Sequence, residues 1–212
     1  MAGKKYQEAA DQIAEKINSD SNADGVFLDL ESYQPTLLPF YQTLAQDLKT
    51  HHKILSVIVR PGEENKEWFQ SLGNNAFVVL YGYDLHHSED KSFPVSPEIY
   101  QQRLAVAVDH FMQVAQSAYI PVMFGIPLIA TTYEWEEKTV GGKKLKNSYR
   151  QIDYFKAALK VYGQISSPLY LGFSIWAFVP DKKSQPYFPT HISQETWEIF
   201  TINNPRTNKY AN

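Results

Sequence analysis

ADGVFLDLESY (residues 23–33) holds two acids, Asp29 and Glu31, inside a run that otherwise reads as a buried strand of apolar and aromatic residues. Side chains alternate along a strand, so Phe27, Asp29 and Glu31 share one face while Val26, Leu28 and Leu30 share the other. The second face is greasy enough to lie under helices. The first becomes acidic toward its C-terminal end, where two carboxylates at this spacing have Cα atoms about 6.5 Å apart. Acids that close can divide roles, one keeping a proton near neutral pH while the other stays ionised.

Working outward, the same kind of run returns at ILSVIV (Ile54–Val59), AFVVLYGYD (Ala76–Asp84), PVMFGI (Pro121–Ile126) and YLGFSIWAF (Tyr170–Phe178). Between these runs the apolar period lengthens to that of a helix: Lys4 to Ile17, Leu37 to Leu48, a short one near Trp68, Pro97 to Gln116, Ser148 to about Tyr162, and a last one near Gln194 to Phe200. Strands alternating with helices predict an α/β fold with a mostly parallel sheet, either doubly wound or part of a (β/α) barrel. The barrel is favoured because no glycine-rich phosphate fingerprint follows the first strand, and because Glu31, Asp84 and Trp176 stand at strand C-termini. No repeat of fixed period and no linker divides the chain, so residues 1–212 are expected to form a single domain.

A formal net charge of −3 over 212 residues offers no basic field for nucleic acid or an anionic membrane. With no cysteine, disulfides, thiolate metal sites and cysteine nucleophiles are excluded. No apolar run approaches the roughly 20 residues that span a bilayer, and MAGKKYQEAADQIAEKI (residues 1–17) has no apolar core of a secretion signal. The 14 Tyr, 12 Phe and 4 Trp suit a large core, although rings also stack on sugar faces.

Four stretches together resemble glycoside hydrolase family 18, the chitinases and related N-acetylglucosaminidases on (β/α)8 barrels. DGVFLDLE (Asp24–Glu31) is similar to the family's DGxDxDxE motif on strand four, and LYGYD (Leu80–Asp84) to its strand-six motif ending in Tyr-Asp. VMFGIPL (Val122–Leu128) resembles the strand-seven segment, and GFSIW (Gly172–Trp176) the strand-eight segment ending in tryptophan. The resemblance covers strands four to eight and implies a partial barrel of about five β/α units. Strands one to three have no counterpart, and five strands cannot close a barrel. A segment upstream of these residues, a second chain, or an open five-stranded sheet would each account for that.

By the resemblance, Glu31 is the general acid and base, and Asp29 orients the substrate's 2-acetamido group, whose carbonyl oxygen attacks the anomeric carbon in place of an enzyme nucleophile. Tyr83 would hydrogen-bond the acetamido oxygen, Asp84 would contact the sugar, and Trp176 would lie under the reacting ring. The implied activity is retaining hydrolysis of β-1,4-linked N-acetylglucosamine in chitin, chitooligosaccharide or a peptidoglycan-type glycan, without a cofactor. The family is commonly extracellular. At Phe27 the chain departs from the motif, which has a third acid there; a glycan-binding or interaction protein on the same scaffold is the alternative. Tyr133 and Trp135, in the loop TTYEWEEKTVGGKKLKN (residues 131–147), are candidates for sugar stacking. Around its VGG, Lys138 to Arg150 carries five basic residues and reads as an exposed hairpin or loop. His51-His52 and His86-His87 lack the i, i+4 spacing with an acid partner that a metal site requires, so no metal is expected.

Overall fold

Five parallel strands alternate with helices, and their order in the sheet is their order in the chain. A computed structural model describes residues 2–30, 34–82, 84–86, 95–127, 137–140, 143–146, 149, 151–176 and 198–199. Helix α1 (Ala2–Ser19) comes first, followed by β1 (Gly25–Leu28), α2 (Leu38–Thr50), β2 (Ile54–Val59), α3 (Lys66–Ser71), β3 (Ala76–Leu80), α4 (Pro97–Ala118) and β4 (Val122–Pro127). An antiparallel hairpin, β5 (Glu137–Val140) with β6 (Lys143–Lys146), occupies the basic loop segment. Helix α5 (Gln151–Tyr162) and β7 (Tyr170–Trp176) complete the series. The helix expected near residues 194–200 lies outside the described residues except for Glu198 and Ile199, which are helical.

The sheet order is β1-β2-β3-β4-β7, with no reversal. A doubly wound sheet reverses its strand order at a switch point, so the expected choice between windings falls to the singly wound arrangement. That is the connectivity of successive β/α units; closure into a barrel does not follow from it, since β1 and β7 are the edges of the sheet among the described residues. Among the described residues no helix is long and apolar enough to cross a membrane.

Two compact units emerge from the packing: residues 1–81, 107–124 and 166–171, and residues 82–106, 125–165 and 172–212. In the first, register aligns Leu28, Val57, Val78 and Val122 in one row, and the last three are fully buried. A string of rings shows what covers that face: Phe40 and Tyr41 of α2, Trp68 and Phe69 of α3, Phe111 of α4, then Phe124 and Tyr170 of the sheet, with successive centroids 5.4 to 5.9 Å apart. Seven rings in edge-on and tilted contact bury large apolar areas and gain a further ~0.5–1.5 kcal/mol per pair. The core reading of the aromatic content therefore holds for these seven. Helix α3 is short, and the Asn65 side chain caps it by accepting from the Trp68 N–H at 2.9 Å.

The opposite face is less well covered. Ser56, Ile58 and Val79 are buried there, but Phe27 is 48% exposed, Ile54 44% and Leu171 46%. Strand β1 also stops at Leu28, three residues before the expected end at Glu31. Its neighbour on one side is β2 and, among the described residues, it has none on the other, so the described ladder lacks a second partner that would hold Asp29 and Leu30 extended. Leu30, expected on the helix-covered face, is 45% exposed for the same reason. Strand β3 likewise ends at Leu80 rather than Asp84, which opens a short 3-10 turn, Asp84–His86.

The second unit has its own aromatic centre. The Tyr154 hydroxyl donates to the Val95 carbonyl at 2.7 Å, and its ring meets those of Tyr100, His86 and Tyr149 edge-on. Tyr162 stacks on Phe173 and donates its hydroxyl to the Gly125 carbonyl at 3.2 Å. Gly82 lies against the same carbonyl: a Cβ there would sit 3.1 Å from it and 3.1 Å from Leu104.

Candidate functional site

In a parallel sheet all C-terminal strand ends lie along one edge, and ligands bind outside that edge. Asp29 directly follows β1 and is exposed. On the neighbouring strands the residues one past the last paired Val59 and Leu80 are Arg60 and Tyr81, which lie two residues beyond the level of Asp29, because Leu28 pairs with Val57. The Tyr81 N–H donates to the Val59 carbonyl at 2.7 Å, which carries the ladder one step further. Both side chains are half-buried, and the Arg60 guanidinium lies 5.9 Å from the centroid of the Tyr81 ring. Because Leu28, Val59 and Leu80 belong to the helix-covered row, alternation turns Asp29, Arg60 and Tyr81 to the other face. One acid, one base and one phenol thus share the less covered face at the C-terminal edge of the first unit.

Of the other expected residues, Asp84 begins the 3-10 turn after β3 and Trp176 is the last residue of β7, so both stand at or just past a strand C-terminus. Glu31, Tyr83, Tyr133 and Trp135 lie outside the described residues. Arg60 is not among the residues that the motifs select. Its signal in the sequence is its place as the first polar residue after ILSVIV, the same strand-end rule that picks out Asp84 and Trp176.

A second polar pair follows β2. The Glu64 side chain is 1% exposed, and its Oε1 lies 2.8 Å from Nδ1 of His110, which is 59% exposed. Nδ1 and Oε1 share one hydrogen bond, which leaves Nε2 as the second ring nitrogen. Oε2 of Glu64 is buried with no hydrogen-bond partner among the described residues. The pair ties the loop between β2 and α3 to the middle of α4. Nothing in the sequence pattern connects these residues, which stand 46 positions apart.

In the second unit a cleft of about 380 Å³ lies between the start of α4 and α5, lined by Glu98, Gln101, Tyr149, Asp153, Lys156 and Lys160. None of the motif residues lines it. Glu98 sits in the first turn of α4, where its own backbone N–H and then the Ser96 hydroxyl hold its carboxyl below the usual range. His86 is buried against Tyr154. The Tyr100 hydroxyl is buried with no hydrogen-bond partner among the described residues, and burial pushes its proton affinity up. Among the described residues no three histidine or carboxylate side chains gather as a metal site would require.

No protein-family model, no curated protein and no solved structure matches this chain.

Proposed function

We propose that the chain is the catalytic part of a family 18-like glycosidase that hydrolyses β-1,4-linked N-acetylglucosamine by the substrate-assisted, retaining route. The observation that carries this reading is the row of polar side chains at the C-terminal edge of the sheet, on the face turned away from the helices, with Asp29 at the end of the strand that bears the acidic motif. An oxazolinium-like cation develops as the acetamido oxygen attacks C1. An ionised Asp29 beside it stabilises that charge more in the transition state than in the ground state. Glu31 gives its proton to the departing glycosidic oxygen and then takes one from the incoming water. Tyr83 holds the acetamido oxygen, and Asp84 and Trp176 bind the sugar. Tyr133 and Trp135 extend the stacking surface.

The strand order supports a (β/α)8 barrel, because each strand lies beside its predecessor as in the last five units of such a barrel. The two open edges and the partly exposed Phe27, Ile54 and Leu171 are then what further strands, from upstream residues or a second chain, cover.

Phe27 favours a second reading. An exposed phenylalanine stands on the face of Asp29 where the motif has an acid, which suits a glycan-binding protein without turnover. Hydrolysis of a fluorogenic N-acetylglucosamine oligomer separates the two. The glycosidase reading expects turnover that falls by roughly a thousandfold or more in Glu31→Gln, since general acid–base catalysis contributes about 10²–10⁴-fold. Binding without turnover, indifferent to that substitution, supports the second.

A further inference from the structure

We propose that the cleft between the start of α4 and α5 binds a short zwitterionic peptide, about three residues long, holding its ammonium at Glu98 and its carboxylate at Lys160. The proposal is independent of the glycosidase reading, since none of the motif residues lines this cleft. Asp153, Lys156, Ala157 and Lys160 stand at i, i+3, i+4 and i+7, so α5 turns one face to the cleft. Glu98 and Gln101, three residues apart, do the same for α4. The charges divide along α5. Asp153 lies in its first turn with Glu98 nearby: the Glu98 carboxyl is held below the usual range by its own backbone N–H and then by the Ser96 hydroxyl, while Asp153 pushes the other way by charge repulsion. Helix dipoles favour an acid in each first turn, but they do not require acids of two helices to meet in one cleft. A ligand ammonium beside the two carboxylates relieves their repulsion. Lys160 stands seven residues beyond Asp153, about 10 Å along the helix axis, in the last turn of α5.

Asp153, Lys156 and Tyr149 each hold a contact within the protein, so the ligand is read by Glu98, Gln101 and Lys160. Glu98 accepts from its own N–H and from Ser96, and an ionised carboxylate has about four acceptor sites. The side chains of Gln101 and Lys160 hold no hydrogen bond or ion pair among the described residues. The Gln101 amide both donates and accepts, which matches a peptide group lying between two charged ends. An extended chain advances about 3.3–3.6 Å per residue, so three residues set an ammonium and a carboxylate about 10 Å apart, whereas a single amino acid keeps both within one step. The Tyr149 ring, braced edge-on against Tyr154 at 6.1 Å, adds an aromatic wall, and the volume of about 380 Å³ suits a ligand of this size.

The test is an amide chemical-shift titration of the full chain with trialanine, N-acetyl-trialanine, trialanine amide and alanine. Trialanine is expected to move the amides of the cleft residues saturably, with a dissociation constant in the millimolar range. The two blocked peptides each lack one charge and are expected to bind about threefold more weakly, the scale of an exposed ion pair. Glu98→Gln is expected to weaken trialanine and its amide by that factor and to spare N-acetyl-trialanine. Lys160→Gln is expected to weaken trialanine and N-acetyl-trialanine and to spare the amide. Both positions are exposed, and the spared peptide in each variant shows that the cleft is intact. No saturable shift at the cleft, or blocked peptides binding as tightly as trialanine, overturns the proposal. Alanine binding as tightly as trialanine overturns it in favour of a single amino acid. A substitution that weakens all three peptides equally overturns the assignment of that residue to one end of the ligand.

Discussion

A methyl group on Gly25 would overlap the carbonyl group of Ile54, because the backbones of β1 and β2 approach closely where the strands begin to pair. The glycine of the DGVFLDLE stretch is thus required by strand pairing, whatever the chemistry of the acids that follow it. Gly25→Ala is expected to lower stability by about 1–3 kcal/mol, as forced overpacking does, seen as a lower urea midpoint with the slope unchanged. Glu64 makes a different demand. Among the described residues His110 is the one hydrogen-bond partner of its side chain, so His110→Ala leaves a buried carboxyl group with neither oxygen satisfied there, at a cost of roughly 1–3 kcal/mol. His110→Ala combined with Glu64→Leu removes the stranded acceptor and should restore most of the loss in the same measurement. If the double variant is no better than the single one, the pair is not what stabilises the loop. Neither effect is visible in the sequence, where Glu64 sits in an ordinary polar loop and His110 on an ordinary helix.

The helices and strands themselves were largely legible, and the places where they were not have a common cause. Helix α4, expected over Pro97–Gln116, runs over Pro97–Ala118, and β2 keeps its expected bounds of Ile54–Val59. Both are framed by a period that their own residues carry. Strands β1 and β3 end three and four residues short of their expected ends at Glu31 and Asp84, although the apolar pattern continues. How far a strand runs depends on how long its neighbours remain beside it. Among the elements, α3 is the smallest helix and holds the ring string together: Trp68 touches Tyr41 on one side and Phe69 on the other, and Phe69 reaches Phe111 of α4. Trp68→Ala is expected to cost about 3–5 kcal/mol, the range for emptying a buried aromatic site. Calorimetric melting would show it, and a loss below about 1 kcal/mol would mean that the string closes up around the gap.

The molecule as a whole is expected to weaken in alkali before it does so near neutrality. Burial pushes the Tyr170 hydroxyl up to about 12 from the ordinary tyrosine value of 10, and burial raises Tyr100 in the same direction. Each therefore keeps its proton in the native state at a pH where the unfolded chain has lost it. The stability they contribute is complete below about pH 10 and is lost as pH rises from there through the folded value. The melting temperature should fall more steeply between about pH 10 and 12 than between 8 and 10, and Tyr170→Phe should flatten that fall. A flat profile through this window, with the tyrosinate absorbance appearing near pH 10, would sink the assignment. Strand and helix identity, the acids at the end of the first strand and the absence of thiol chemistry were already decided by the order of the amino acids, because periodicity and composition are local properties. The edge position of β1, the exposure of Phe27, the contact of Arg60 with Tyr81 and the pairing of Glu64 with His110 were decided by folding. Each depends on which segments far apart in the chain come to lie side by side, and the period of a single segment contains no record of its neighbours.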